Sequence, residues 1–233
     1  LSTYLELVQD LARQSGTLAG GTTLASVSGV SGRADKLVNW IKRAWEDIQN
    51  QRTDWLWMNA EWTGTLSIGT RRYTAASFSL TRHRKWAGDT RFWQPLTIYD
   101  PAIGQSDETA LTQIEWDTWR TKYDRATHDA NRPVEYAISP AGELCFGPTP
   151  DKAYSARGEY LKSPQALSAN SDTPELPSHL HQIIVHRAMV MMGGSDESPI
   201  TIQTAQNEYR RLFVTLCEEQ LPNISLERGN ALA

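Results

Sequence analysis

The sequence predicts an α+β fold: a helical core, with two helices from each end of the chain, and a β-rich insertion between them. Three observations carry this. Apolar residues recur at helical spacing near both ends, over 4–12, 37–48, 180–192 and 202–216. From about 61 to 162 the pattern changes to short runs of alternating polarity, the strand period. Gly, Pro and Asp clusters punctuate those runs as turns.

The first helix is predicted from Thr3 to Ser15. Ser2 or Thr3 can cap it, Glu6 sits in its first turn, and Tyr4, Leu5, Val8 and Leu11 form its stripe. Gly16 ends it. Residues 17–32 are rich in Gly, Ser and Thr without periodicity and read as a flexible loop. A phosphate cradle is disfavoured there, because no strand precedes the glycines and no Lys-Ser/Thr pair follows.

Leu37 to Met58 is the heaviest stretch. Leu37, Ile41, Ala44, Trp45 and Ile48 share one helical stripe, and Trp40, Trp45, Trp55 and Trp57 place four indoles within eighteen residues. A buried indole removes about 150–250 Å² from water, so this segment is expected to be the central helix against which the others pack. With Tyr209, those four tryptophans are the predicted core anchors.

Alternation then begins at Trp62–Ile68, with Arg72-Tyr73-Thr74 as the expected return strand after Gly69-Thr70. Further strands are expected near 94–99 and 110–114, and Trp116, Trp119 and Tyr123 mark a short helix from Glu115 to Asp124. The clearest hairpin joins 134–138 to 143–146 across Ser139-Pro140-Ala141-Gly142. One more strand spans 153–161, and the proline-rich segment 163–177 crosses back to helical structure. Pro177-Ser178 opens a helix that Gly193-Gly194 is expected to stop. Ser198-Pro199 opens the last helix, which buries Ile202, Ala205, Tyr209, Leu212, Phe213 and Leu216 and ends at Pro222.

The predicted organisation is a single domain over 1–233. It comprises N-terminal helices over 1–58 with the flexible loop 17–32, and a β-rich insertion over 59–162 with a short helix near 115–124. A crossing segment and C-terminal helical pair follow over 163–221, then an extended tail over 222–233.

Composition narrows the function classes. The chain has 233 residues, 39% hydrophobic and 21% charged, with a net charge of −4, so no global polycation is offered to nucleic acid. Cys145 and Cys217 are far apart and read as free buried thiols. No apolar run approaches the roughly 18–20 residues that span a bilayer. No secretory signal is visible, so a soluble cytosolic product is expected.

Catalytic chemistry is not found, and neither a metal site nor a cofactor is expected. His179, His181 and His186 lack a carboxylate or cysteine at ligand spacing and read as surface or capping groups. Asp107-Glu108 and Glu218-Glu219 read as solvated charges. No nucleophile elbow or zinc-protease motif occurs.

One local feature stands out electrostatically. Arg71, Arg72, Arg82, Arg84, Lys85 and Arg91, against Asp89 alone, give about +5 inside an acidic protein. Tyr73, Trp86, Phe92 and Trp93 are interleaved. Cations beside stacking aromatics are a recipe for single-stranded nucleic acid, so Arg82, Arg84, Lys85, Trp86, Arg91 and Trp93 are candidate contacts. A β-face paired with acidic residues of its own fold or of a neighbouring subunit is the other reading. A carbohydrate-binding β module, suggested by the tryptophan content alone, is a third.

Three stretches together resemble a known family. They are Tyr4-Leu5-Glu6-Leu7-Val8 with the loop after it, and Ala44-Trp45-Glu46-Asp47-Ile48-Gln49 with Arg52, Asp54-Trp55, Trp57 and Met58. The third is Leu176-Pro177, Ile183-Ile184-Val185, Ala188 and Glu208-Tyr209-Arg210-Arg211-Leu212. In this order they are similar to the head-to-tail adaptor, or connector, proteins of tailed bacteriophages. The insertion is similar in length and layout only.

The resemblance implies a structural virion protein without enzymatic activity. It implies a dodecameric ring of identical copies below the portal protein, with a tail protein beneath and packaged double-stranded DNA passing through. It places the protein at the head–tail junction after synthesis in the host cytoplasm, with no membrane partner. Pro222, Ile224, Leu226 and Arg228 are then the expected docking residues toward the portal or a neighbouring copy.

Overall fold

The computed structural model describes residues 2–16, 23–87, 95–125, 129–196 and 199–222. Helices at both ends enclose strands, and the chain divides into two compact units. Leu1–Trp57 with Pro164–Ala233 form the helical unit, and Met58–Ser163 form the β unit.

In the helical unit, α1 (Tyr4–Gln14) starts with a complete capping box. The Thr3 hydroxyl accepts from the Glu6 N–H at 3.3 Å, and the Glu6 carboxylate accepts from the Thr3 N–H at 2.8 Å. Two further first-turn N–H groups donate into the crossing segment, Tyr4 to the Asp172 carbonyl and Leu5 to that of Asn170. α2 (Arg33–Asn50) buries Leu37, Ile41, Ala44, Trp45 and Ile48, the stripe that the spacing predicts. Its Gln49 is fully buried and pairs both ways with the Gln165 backbone, at 3.1 and 2.7 Å.

α4 (Gln182–Asp196) and α5 (Pro199–Gln220) complete the unit, with a 3₁₀ turn at Ser178–Leu180 leading into α4. (The short α3, Trp116–Trp119, belongs to the β unit.) The expectation that the tryptophan-bearing helix is central is corrected here. α4 is the helix that packs against α1, α2 and α5. Ile183, Ile184 and Val185 are consecutive and all fully buried, as only a helix covered on several sides requires.

Gly193-Gly194 does not stop α4, which continues to Asp196. A Cβ on Gly193 would run into the side chain of Ile202 on α5, so this glycine serves the close approach of two helices. Gly193→Val is expected to destabilise the helical unit by about 1–3 kcal/mol through overpacking, read as a lower urea midpoint.

His181 is 1% exposed. Its Nδ1 accepts from the Ser2 N–H at 3.1 Å and its Nε2 lies 3.1 Å from the Leu176 carbonyl, so the ring is a neutral bridge between the chain start and the crossing segment. Burial pushes its pKa below the ordinary histidine value, and does the same at His186. The unfolded chain therefore binds these protons more readily, and stability falls as pH drops through about 6.5. Urea midpoints should decrease between pH 8 and 5, and His181→Gln should flatten that slope.

The β unit holds two sheets. The first runs in the order β1 (Asn59–Leu66), β9 (Tyr154–Lys162), β4 (Thr97–Tyr99), β5 (Thr109–Ala110), with β3 (His83–Trp86) also on β9. The second runs β2 (Arg72–Tyr73), β8 (Leu144–Gly147), β7 (Glu135–Ile138), β6 (Thr112–Gln113), and β6 is parallel to β7. The expected strand near 110–114 is thus two strands in different sheets, with buried Leu111 between them.

The expected hairpin from 62–68 to 72–74 does not form. β1 pairs with β9, and β2 pairs with β8. The reason is local. Thr74 and Ser77 cap a 3₁₀ turn at Ala75–Phe78 that sends Phe78 against Trp62, ring centroids 4.4 Å apart. Gly64 leaves the space for that ring. The 134–138/143–146 hairpin forms as predicted, as β7 and β8.

α3 (Trp116–Trp119) continues as a π turn over Arg120–Asp124. Trp119 and Tyr123 pack with Ala137 and Cys145, so every residue of β8 is buried. Asp107 and Glu108 are not solvated charges. Asp107 takes a two-pronged contact from Arg132, at 2.7 and 2.8 Å, and accepts from the Asp100 N–H at 2.9 Å. The Arg132 guanidinium holds the Asp107 carboxyl below the usual carboxylate range. Glu108 accepts from Thr97 at 2.5 Å and lies 3.4 Å from Arg157.

Candidate functional site

The basic, aromatic run is where the sequence places chemistry, and the fold disperses it. Arg71 donates to the Tyr123 carbonyl. Arg72 pairs with Asp124 at 2.8 Å, lies 5.4 and 5.5 Å from the Trp116 and Trp119 ring centres, and has its pKa raised first by that carboxylate. Arg82 donates twice to the Ser163 carbonyl, at 3.2 and 2.7 Å. These three cations hold the fold together locally.

Trp86 corrects the stacking hypothesis. It is 2% exposed, its indole N–H donates to the Gly142 carbonyl at 2.7 Å, and its ring packs on Trp62 and His83. A ring so enclosed offers no face to a base. His83 stacks on Tyr160 and meets Trp86 at a tilt, and burial lowers its pKa.

The Arg84 and Lys85 side chains remain exposed, and among the described residues no hydrogen bond or ion pair engages those side chains. They stand on β3, four residues long, where the register slips between His83 and Lys85. Arg91 and Trp93 lie outside the described residues. Exposed cations, a bulge and shortness are the devices by which a sheet edge avoids unwanted pairing. Arg84 and Lys85 are in the right place to guard this one.

Four of the five predicted core anchors, Trp45, Trp55, Trp57 and Tyr209, converge in the helical unit. Trp45 and Trp55 are both fully buried, and half-buried Trp57 stacks on each, at 6.4 and 4.5 Å. Trp55 and Trp57 lie beyond the end of α2, and the Trp55 indole N–H reaches back to the Ile48 carbonyl at 3.2 Å. Tyr209 stacks on Phe213 and donates to Gln51 at 2.9 Å. Trp40 stands apart, half-buried, with Arg33 over its ring at 5.8 Å.

Other candidate groups do not assemble. His179 pairs with Glu219 at 2.9 Å at the surface. Among the described residues no group of three or more His, Cys, Asp or Glu could hold a metal. Cys145 is buried, its thiol pushed up to about 12 by desolvation, and Cys217 is half-buried. Neither thiol is a poised nucleophile. Pro222 is half-buried, and Ile224, Leu226 and Arg228 lie outside the described residues. No helix is long and apolar enough to cross a membrane among those searched.

A family model described as SU10 adaptor protein matches residues 2–230. The chain belongs to the SU10 adaptor protein family. No curated protein matches it. The SU10 adaptor match runs through the β insertion as well as the helical ends, so the insertion is part of the family pattern. As an SU10 adaptor the protein is a structural adaptor of the bacteriophage virion. The sequence reading missed how Arg71, Arg72 and Arg82 are used, because their acceptors are backbone carbonyls and a carboxylate some 50–80 residues away.

Proposed function

We propose that this adaptor works as a ring of about twelve identical copies, docked on the portal and closed by one repeated head-to-tail contact. The family match over 2–230 carries this reading. The ring extends the DNA channel and presents the platform for a tail protein, without enzymatic activity or cofactor. Weak contacts per copy suffice, because a portal ring already in place turns each later docking into a multivalent event. With −4 per copy, the annulus is acidic and lets packaged DNA slide rather than stick. Synthesis in the host cytoplasm precedes its incorporation at the head–tail junction.

The test is direct. Purified protein mixed with the portal of its own phage is imaged by electron microscopy and weighed by native mass spectrometry. A ring of copies at the portal base is expected. Portal that remains bare at saturating adaptor overturns the reading.

A further inference from the structure

The outer strands of the first sheet, β1 on one side and β3 and the two-residue β5 on the other, are built differently. The β3 edge is short, bulged and carries two exposed cations. β1 is eight residues long, pairs with β9 in unbroken register from Asn59 to Leu66, and contains one charge, Glu61, with no proline. Among the described residues no strand pairs with it on its other side, and no backbone hydrogen bond reaches its outward N–H and C=O groups. A long, regular, nearly uncharged edge invites pairing, whereas β3 and β5 on the far side are four and two residues long.

We propose that the open edge of β1 receives an added strand from a second copy of this chain, supplied by residues 223–228. The inference rests on the ring reading and names a contact within it. Three points favour this occupant. Ile224, Ser225, Leu226 and Glu227 alternate in the strand period. The described residues end at Pro222, just past α5, and the eleven residues that follow in this sequence have a reach of up to about 36–40 Å. Six of them, extended, span about 20 Å against about 27 Å for β1. Main-chain hydrogen bonds supply the affinity, and the alternating pair Ile224 and Leu226 fixes the face.

The experiment uses the full chain. Amide exchange is measured at low concentration and at concentrations where copies associate, with wild type and with the double variant Ile224→Asp/Leu226→Asp. On association, alternate amides of 59–66 and amides within 223–228 should slow together by about tenfold or more. The double variant should abolish both effects. A short bismaleimide should then link Thr63→Cys in one chain to Ser225→Cys in another, well above the background from Cys217.

Copies that associate with β1 amides still exchanging fast overturn this inference and leave the ring reading standing. So does a 63–225 link formed only within one chain, or β1 protection that appears only when portal is added. Copies that associate neither alone nor on the portal overturn both.

Discussion

Trp55→Ala is expected to lower the stability of the helical unit by about 3–5 kcal/mol, among the largest single losses available to it. The side chain is fully buried, stacks on Trp57 at 4.5 Å and meets the edge of Phe213 at 6.1 Å. Its indole N–H also fastens residues 55–57 to the last turn of α2 through Ile48. Alanine therefore opens a cavity and frees the segment that keeps Trp57 in place. Urea unfolding followed by circular dichroism checks this, with half-buried Trp40→Ala as the smaller comparison. A loss under about 1 kcal/mol would mean that the cluster closes over the gap without it.

Trp86→Ala should cost the β unit a similar amount, about 3–5 kcal/mol, while Arg84→Ala and Lys85→Ala stay within about 0.5 kcal/mol of wild type. The three residues are neighbours in sequence but not in environment. Trp86 fills the space between Trp62 and His83, whereas the two cations project from an edge strand. The opposite pattern, with little lost at Trp86 and salt-dependent single-stranded DNA binding lost at Arg84 and Lys85, would restore the nucleic-acid reading.

How far the sequence discloses this fold depends on how one-sided each burial is. α1, α2 and α5 each keep a polar face, and their stripes can be read off the residues directly. α4 is covered by three neighbours, so the contrast that marks a helix face is weakest where the helix matters most. Attention falls instead on the indoles of α2 and the residues after it. Most strand positions were legible, but β3 at His83–Trp86 was not foreseen, and one partner choice was missed. Arg72-Tyr73 follows a turn after β1, yet these two residues pair with Cys145 and Leu144 of β8 in the other sheet. Gly193-Gly194 reads as a stop because glycine usually is one. Only the neighbouring Ile202 reveals its use.

The charged groups divide along the same line. Arg72, Arg82, Asp107 and Arg132 look like free surface charge in sequence because their partners are remote along the chain. Arg84 and Lys85 look identical to them and are the ones left in solvent. No catalytic pattern was legible, and adaptor identity came from packing residues, which mark a family without naming a reaction.

The helical unit is assembled from both ends of the chain, while the β unit is continuous from Met58 to Ser163. During synthesis the β unit has all its strands once residue 163 leaves the ribosome. α1 and α2 must wait with their apolar stripes bare until α4 and α5 follow, roughly 3 to 11 s later at about 5–20 residues per second. A nascent adaptor thus carries a finished β unit and an unclosed helical one, and cannot take its place in a particle until its last helix has been translated.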